Sequence, residues 1–237
     1  MRTVSKTVNP GSNPGSPVRI VSVLDYCERL PEGDPAGLLV LHHGRGTDER
    51  DLLGLADALD PRRRLHVVTP RAPLTLPGAS GYHWYVVPRV GYPDPETFHA
   101  AFARLAELHD ELWERTGIDV DRTVLGGFSM GAVMSYALGL AAERPVPAGV
   151  LAFSGFVPGV EEWEPDFPSR PGLPVFIAHG RRDPVIDVEF AHRARALLEA
   201  AGLPVSYHES ELGHQIAPAH LRSATAWLAA VLGIEAD

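Results

Sequence analysis

The sequence predicts an α/β fold, a mostly parallel sheet of about seven strands flanked by helices on both faces. Three observations predict it. Short, wholly apolar runs of strand length alternate along the chain with longer segments of helical periodicity. The composition supports a sizeable core, with 237 residues of which 45% are hydrophobic and 22% charged. The 23 Gly and 22 Pro require many turns, hence many short elements rather than a long helical bundle.

The elements follow in order. Residues 1–17 read as a flexible tail, because the stretch from Asn9 to Pro17 is turn chemistry with almost nothing to bury. One domain is expected over 18–237. Residues 18–25 alternate apolar and polar side chains and predict an edge strand. Residues 38–41 (LLVL) predict a strand covered on both faces. Leu52, Leu55, Ala56 and Leu59 recur at helical spacing, and 65–69 is the next strand. Pro95, then Phe98, Ala101, Phe102, Leu105, Leu108 and Leu112, predict a long amphipathic helix with proline in its first turn. Residues 123–125 open a strand, and 132–140 form a nearly all-apolar helix. Residues 149–153, 175–178 and 205–207 are three further strands, with helices at 188–201 and 218–232. Two long irregular stretches, 70–94 and 154–173, remain. Loops of that length in a compact domain often carry function.

Composition excludes several classes. A formal charge of −9, from 30 Asp+Glu against 21 Lys+Arg, argues against nucleic acid and anionic membranes as partners. One cysteine, Cys27, allows neither an internal disulfide nor a cysteine-based zinc site, and reads as a small buried apolar residue. No stretch approaches the roughly 20 apolar residues of a membrane span. The N-terminus has no apolar core of a secretory signal, so a cytoplasmic address is expected.

The chemistry centres on Gly127-Phe-Ser-Met-Gly131, a G-x-S-x-G pattern between a strand and an apolar helix. There the pattern sets a serine on a sharp, strained turn, which makes Ser129 a candidate nucleophile; an ordinary strand–helix turn is the plain alternative. A nucleophilic serine needs a base and an orienting acid, each on a loop after a late strand. Asp183 lies just past the strand at 175–178, whereas Asp187 directly precedes helical periodicity and reads as a cap. Of the 11 histidines, His214 alone has the required loop position after the acid. The developing oxyanion needs two donors. The backbone N–H of Met130 supplies one, and that of Arg45, in His43-Gly44-Arg45-Gly46, the other. His42 and His43 lack the partners of a metal site.

In order and spacing, HHGRGTDE, GGFSMGA, FSGF, HGRRDPV and LGHQI resemble the bacterial phospholipase/carboxylesterase family, small α/β hydrolases similar to acyl-protein thioesterases. The resemblance covers nearly the whole chain after residue 17. It implies a minimal α/β-hydrolase fold without a large cap domain, and no cofactor or metal. It implies the same triad, Ser129, Asp183 and His214, and the same oxyanion donors, Arg45 and Met130. It also implies that Trp84, in the loop 70–94, lines the substrate pocket, although anchoring of that loop is an alternative. Phe156 and Ile216 are further wall candidates.

Two positions depart from the thioesterase branch. Met130 stands where Gln is frequent, and Arg45 where an aliphatic residue is frequent. Both favour a small-molecule ester over a lipidated protein. Arg45, Arg89, Arg181 and Arg182 read in the first place as solvated side chains; the alternative is a positive rim in which Arg45 or Arg182 favours an anionic substrate. The expected function is a serine carboxylesterase. A thioesterase or lysophospholipase, a serine peptidase, and an inactive binding module of the same fold stay open. A homodimer is compatible with apolar residues near the site.

Overall fold

The computed structural model describes residues 2–4 and 24–235. Among them are the strands β1 (Arg2–Val4), β2 (Tyr26–Arg29), β3 (Gly37–His42), β4 (Leu65–Pro70), β5 (Thr123–Phe128), β6 (Gly149–Phe153), β7 (Val175–Gly180) and β8 (Val205–Ser210). The helices are α1 (Leu53–Leu59), α2 (Pro95–Thr116), α3 (Met130–Leu140), α4 (Glu189–Ala200) and α5 (Pro218–Leu232). The strands form one sheet in the order β1-β2-β4-β3-β5-β6-β7-β8. The β1/β2 and β2/β4 pairs are antiparallel, and all others are parallel. This is the α/β-hydrolase arrangement, and among the described residues nothing forms a separate cap domain.

The apolar runs are explained by burial on both faces. Side chains alternate across a strand. Leu38, Val40, Val150, Ala152, Val175 and Ile177 face one core, shared with α2, α3 and α4. Leu39, Leu41, Leu151, Phe153, Phe176 and Ala178 face the other, shared with α1 and α5. Helix α2 contributes Phe98, Leu105, Leu108 and Leu112, all buried, each stabilising by about 1.5–3 kcal/mol relative to exposure. Its start is fixed by Asp94, whose side chain accepts the Thr97 N–H, with Pro95 following. Gly117 ends it in the left-handed conformation, at φ 67°.

At the N-terminal side of the sheet, the strand expected over 18–25 falls mostly outside the described residues, which begin again at residue 24; the strand that pairs antiparallel with β4 is Tyr26–Arg29. Pairing with β4, Tyr26↔Pro70 to Arg29↔Val67, sets the register, and the alternation in the sequence carried no information about that partner. Of the expected tail, Arg2–Val4 is a strand on the open edge of β2, where an unpaired ladder accepts a β-compatible segment. Residues 5–17 lie outside the described residues.

The parallel register aligns the C-terminal ends of five strands. His42 pairs with Gly127, Phe128 with Phe153, Phe153 with Ala178, and Gly180 with Ser210. The loops after β3, β5, β6, β7 and β8 therefore leave from one edge, where open parallel sheets gather their sites.

Candidate active site

Ser129 joins β5 to α3 with φ 56° and ψ −120°, a conformation rare for a residue with a side chain. Its N–H is held by the Phe153 carbonyl of the neighbouring strand at 2.8 Å. The turn is this tight because α3 lies directly on β3. A Cβ on Gly131 would fall 2.0 Å from the His42 carbonyl oxygen, so only glycine allows the contact.

The loops after β7 and β8 bring Asp183 and His214 to this serine. His214 Nδ1 lies 2.6 Å from Asp183 Oδ2, and His214 Nε2 lies 2.8 Å from Ser129 Oγ. A carboxylate only accepts, so Nδ1 carries the proton and donates it to Asp183. Nε2 is then free to accept from the serine hydroxyl. The other carboxylate oxygen, Oδ1, accepts the N–H groups of Val185 and Ile186 at 2.8 and 2.9 Å. His179 fixes the far side of this loop, since its Nε2–H donates to the Ile186 carbonyl at 2.8 Å. Burial lowers the pKa of His179, which keeps the ring neutral beside the acid. Asp187 stands apart, at the start of α4, where its carboxylate accepts the Glu189 N–H.

The two expected oxyanion donors, Arg45 and Met130, line the same cavity as Ser129. Neither the Arg45 N–H nor the Met130 N–H donates to a backbone acceptor among the described residues. Met130 opens α3, whose first turn has unpaired N–H groups and the positive end of the helix dipole. The Arg45 loop is held from several sides. His43 Nε2 accepts the Ala72 N–H at 3.0 Å, and His43 Nδ1–H donates to the Gly44 carbonyl at 2.7 Å. This needs a neutral ring, and burial lowers the His43 pKa. Gly46 N–H donates to the Tyr82 carbonyl, and Tyr82 N–H to that of Thr47, at 2.9 and 2.8 Å. Beyond the loop, the buried Glu49 carboxylate takes two hydrogen bonds of 2.6 Å from Arg71.

The cavity over Ser129 has a volume of about 380 Å3. Its apolar walls include Tyr85, Val87, Pro93, Phe128, Phe156 and Ile186. Phe156, one of the sequence's wall candidates, lines this cavity. Trp84 does not. Its indole is fully buried, and Nε1–H donates to the His43 carbonyl at 2.9 Å, so it anchors the loop that carries Arg45 from behind. The next residue, Tyr85, takes the wall position. Ile216 packs with the core cluster on the α1/α5 side of the sheet instead of lining the cavity.

The arginines divide. Arg45 and Arg89 line the cavity, together with Asp51. Arg181 and Arg182 are occupied by Glu211 at 2.9 and 3.2 Å and do not line it. The cavity lining thus carries both signs of charge, two arginines and Asp51, and the other two arginines lie outside it. Sequence reasoning missed Tyr85, Val87, Pro93, Val185 and Ile186. The length of the loop 70–94 pointed to the first three; the position of Val185 and Ile186 just after Asp183 was the available signal for the others.

Residues 29–232 match the phospholipase/carboxylesterase family. Acyl-protein thioesterase 1 of Debaryomyces hansenii is 31% identical over 155 residues, 61% of this chain and 66% of that protein, just under two thirds of its length. The putative hydrolase MhqD of Bacillus subtilis is 27% identical over 83% of this chain and 94% of its own. The crystal structure of the Bacillus cereus carboxylesterase superposes with a TM-score of 0.76 at 25% identity, covering 88% of this chain and 94% of that one. None of the described helices is long and apolar enough to cross a membrane. With a serine on the strained turn after β5, an imidazole and a carboxylate in line with it, and a family match across both, the chain belongs to the phospholipase/carboxylesterase family of α/β hydrolases.

Proposed function

We propose that the domain over residues 18–237 hydrolyses small carboxylic esters through an acyl-enzyme on Ser129. The observation that carries this reading is the chain Ser129 Oγ, His214 Nε2, His214 Nδ1, Asp183 Oδ2, with links of 2.8 and 2.6 Å, on the floor of an apolar cavity. In the proposed reaction Ser129 Oγ bonds to the ester carbonyl carbon as His214 takes the serine proton. The N–H groups of Arg45 and Met130 hold the negative oxygen. His214 then gives its proton to the departing alcohol as the C–O bond breaks. A water repeats the sequence in reverse and releases the acid. Asp183 keeps the imidazole oriented and stabilises its charged form. No cofactor enters the scheme.

The reading keeps a small-molecule ester as the partner in the site and a cytoplasmic address. It excludes nucleic acid on charge and allows a homodimer. The test is a panel of p-nitrophenyl esters with Ser129→Ala as control. Hydrolysis that disappears in the control supports it; equal rates from both proteins contradict it.

Acyl thioesterase activity is the second reading, favoured by the similarity to Acyl-protein thioesterase 1 of Debaryomyces hansenii. The same machinery serves a thioester, with a thiol as the leaving group. Matched oxygen esters and thioesters of one acyl group separate the two by their kcat/KM ratio.

A further inference from the structure

A second depression lies next to the Ser129 cavity. It has a volume of about 210 Å3 and is lined by Tyr92, Phe156, Val157, Phe190, Ala194 and Leu197, among others. Phe156 is the one residue that lines both spaces. Its ring is buried, at 5% exposure, and packs 5.2 Å from the Phe190 ring. Beside it the turn at 89–92 contributes Val90 to the cavity and Tyr92 to the outer depression. The outer depression is an open, mainly apolar groove that Arg193 also lines, with Tyr92 54% and Leu197 41% exposed.

Two apolar spaces, one wall and a reactive serine at one end make a divided channel. We propose that Phe156 sets the acyl-chain limit of this enzyme: it closes the Ser129 cavity to short acyl groups and shuts off a groove that would hold the distal carbons of a longer chain. The occupant is the acyl chain rather than the alcohol, because the acyl part stays attached to Ser129 after the alcohol has gone and must fit the cavity in both half-reactions. The inference rests on the ester reading above and deepens it.

The experiment measures kcat/KM for p-nitrophenyl butyrate, octanoate and dodecanoate, which hold the alcohol constant. The native protein should favour butyrate. Phe156→Ala should raise the dodecanoate-to-butyrate ratio by about tenfold or more, since several methylenes then leave water for an apolar groove. Adding Leu197→Glu to Phe156→Ala should remove that gain by charging the groove. Phe156→Leu, which keeps an apolar packing residue, should shift the ratio in the same direction and serves if the alanine variant does not fold. Fluorophosphonate labelling of each variant reports an intact site. A labelled Phe156→Ala or Phe156→Leu protein with an unchanged ratio would overturn the inference, as would a gain that survives Leu197→Glu. A native protein that turns over none of the esters overturns the ester reading first, and this inference with it.

Discussion

Asp183 has both carboxylate oxygens committed, one to two backbone N–H groups and the other to His214. An asparagine cannot satisfy both, because its NH2 group must face donors on one side or the other. Asp183→Asn is therefore expected to lower kcat by about 10^3- to 10^4-fold with little change in KM, measured by steady-state hydrolysis of a p-nitrophenyl ester. Residues of this kind were legible in the sequence because their chemistry is tied to position: a serine in a glycine-flanked turn, an acid after one strand, a histidine after the next. Trp84 was harder. Whether it or Tyr85 lines the cavity depends on which way a bend in the loop turns, and Tyr82, His83, Trp84 and Tyr85 are all rings. The structure resolves it through the bond from the indole to the His43 carbonyl. Trp84→Phe keeps the ring and loses that bond. It should loosen the Arg45 loop and lower kcat more than it raises KM, the pattern expected of an oxyanion defect.

At the scale of elements, the loops after β7 and β8 must close on each other before Asp183 can meet His214. Gly180 makes this possible. A Cβ there would fall 2.3 and 2.4 Å from the carbonyl oxygens of Gly213 and Leu212, and the loops are further joined by Arg182 N–H to the Leu212 carbonyl at 3.0 Å. Gly180→Ala should push the loops apart and reduce kcat by about 100-fold, the order expected from an ångström-scale misplacement of catalytic groups, with a lower melting temperature by calorimetry. Unchanged kcat would contradict this account of the contact. Gly127 and Gly131 were visible as a motif because they stand two residues to either side of Ser129, although Gly131 itself packs against His42 of β3. Gly180 acts against a loop some thirty residues later, and no local pattern marks it. The strands followed the same division. Those buried on both faces announced themselves as apolar runs, whereas β2 is defined by the partner it pairs with, which its own residues do not name.

For the whole molecule, acid stability is governed by histidines. His109 is fully buried in the core behind α3, and burial lowers its pKa from about 6.5 to about 3. Its neighbour His42, 3.3 Å away, is lowered well below its ordinary value by burial too. The folded protein thus holds these rings neutral where the unfolded chain protonates them. Their stability is complete above about pH 6.5 and is lost as pH falls toward about 3. Glu209, held near 2 chiefly by Arg181, acts lower, its contribution fading from about pH 4.5 downward. The melting temperature should therefore begin to fall near pH 6.5 and not wait for the carboxylates, and His109→Gln should flatten the upper part of that fall in scanning fluorimetry. A melting temperature constant between pH 6.5 and 5 would contradict the assignment.

At the same scale, the sheet serves to bring five separate loops over one serine, and the central claim is that this makes Ser129 the nucleophile. Incubation of the intact protein with a fluorophosphonate, followed by intact mass and peptide mapping, tests it most directly. One adduct per chain is expected, on Ser129, absent from Ser129→Ala and slowed in His214→Asn. Folded protein that takes no label, or that carries it on another residue, would contradict it.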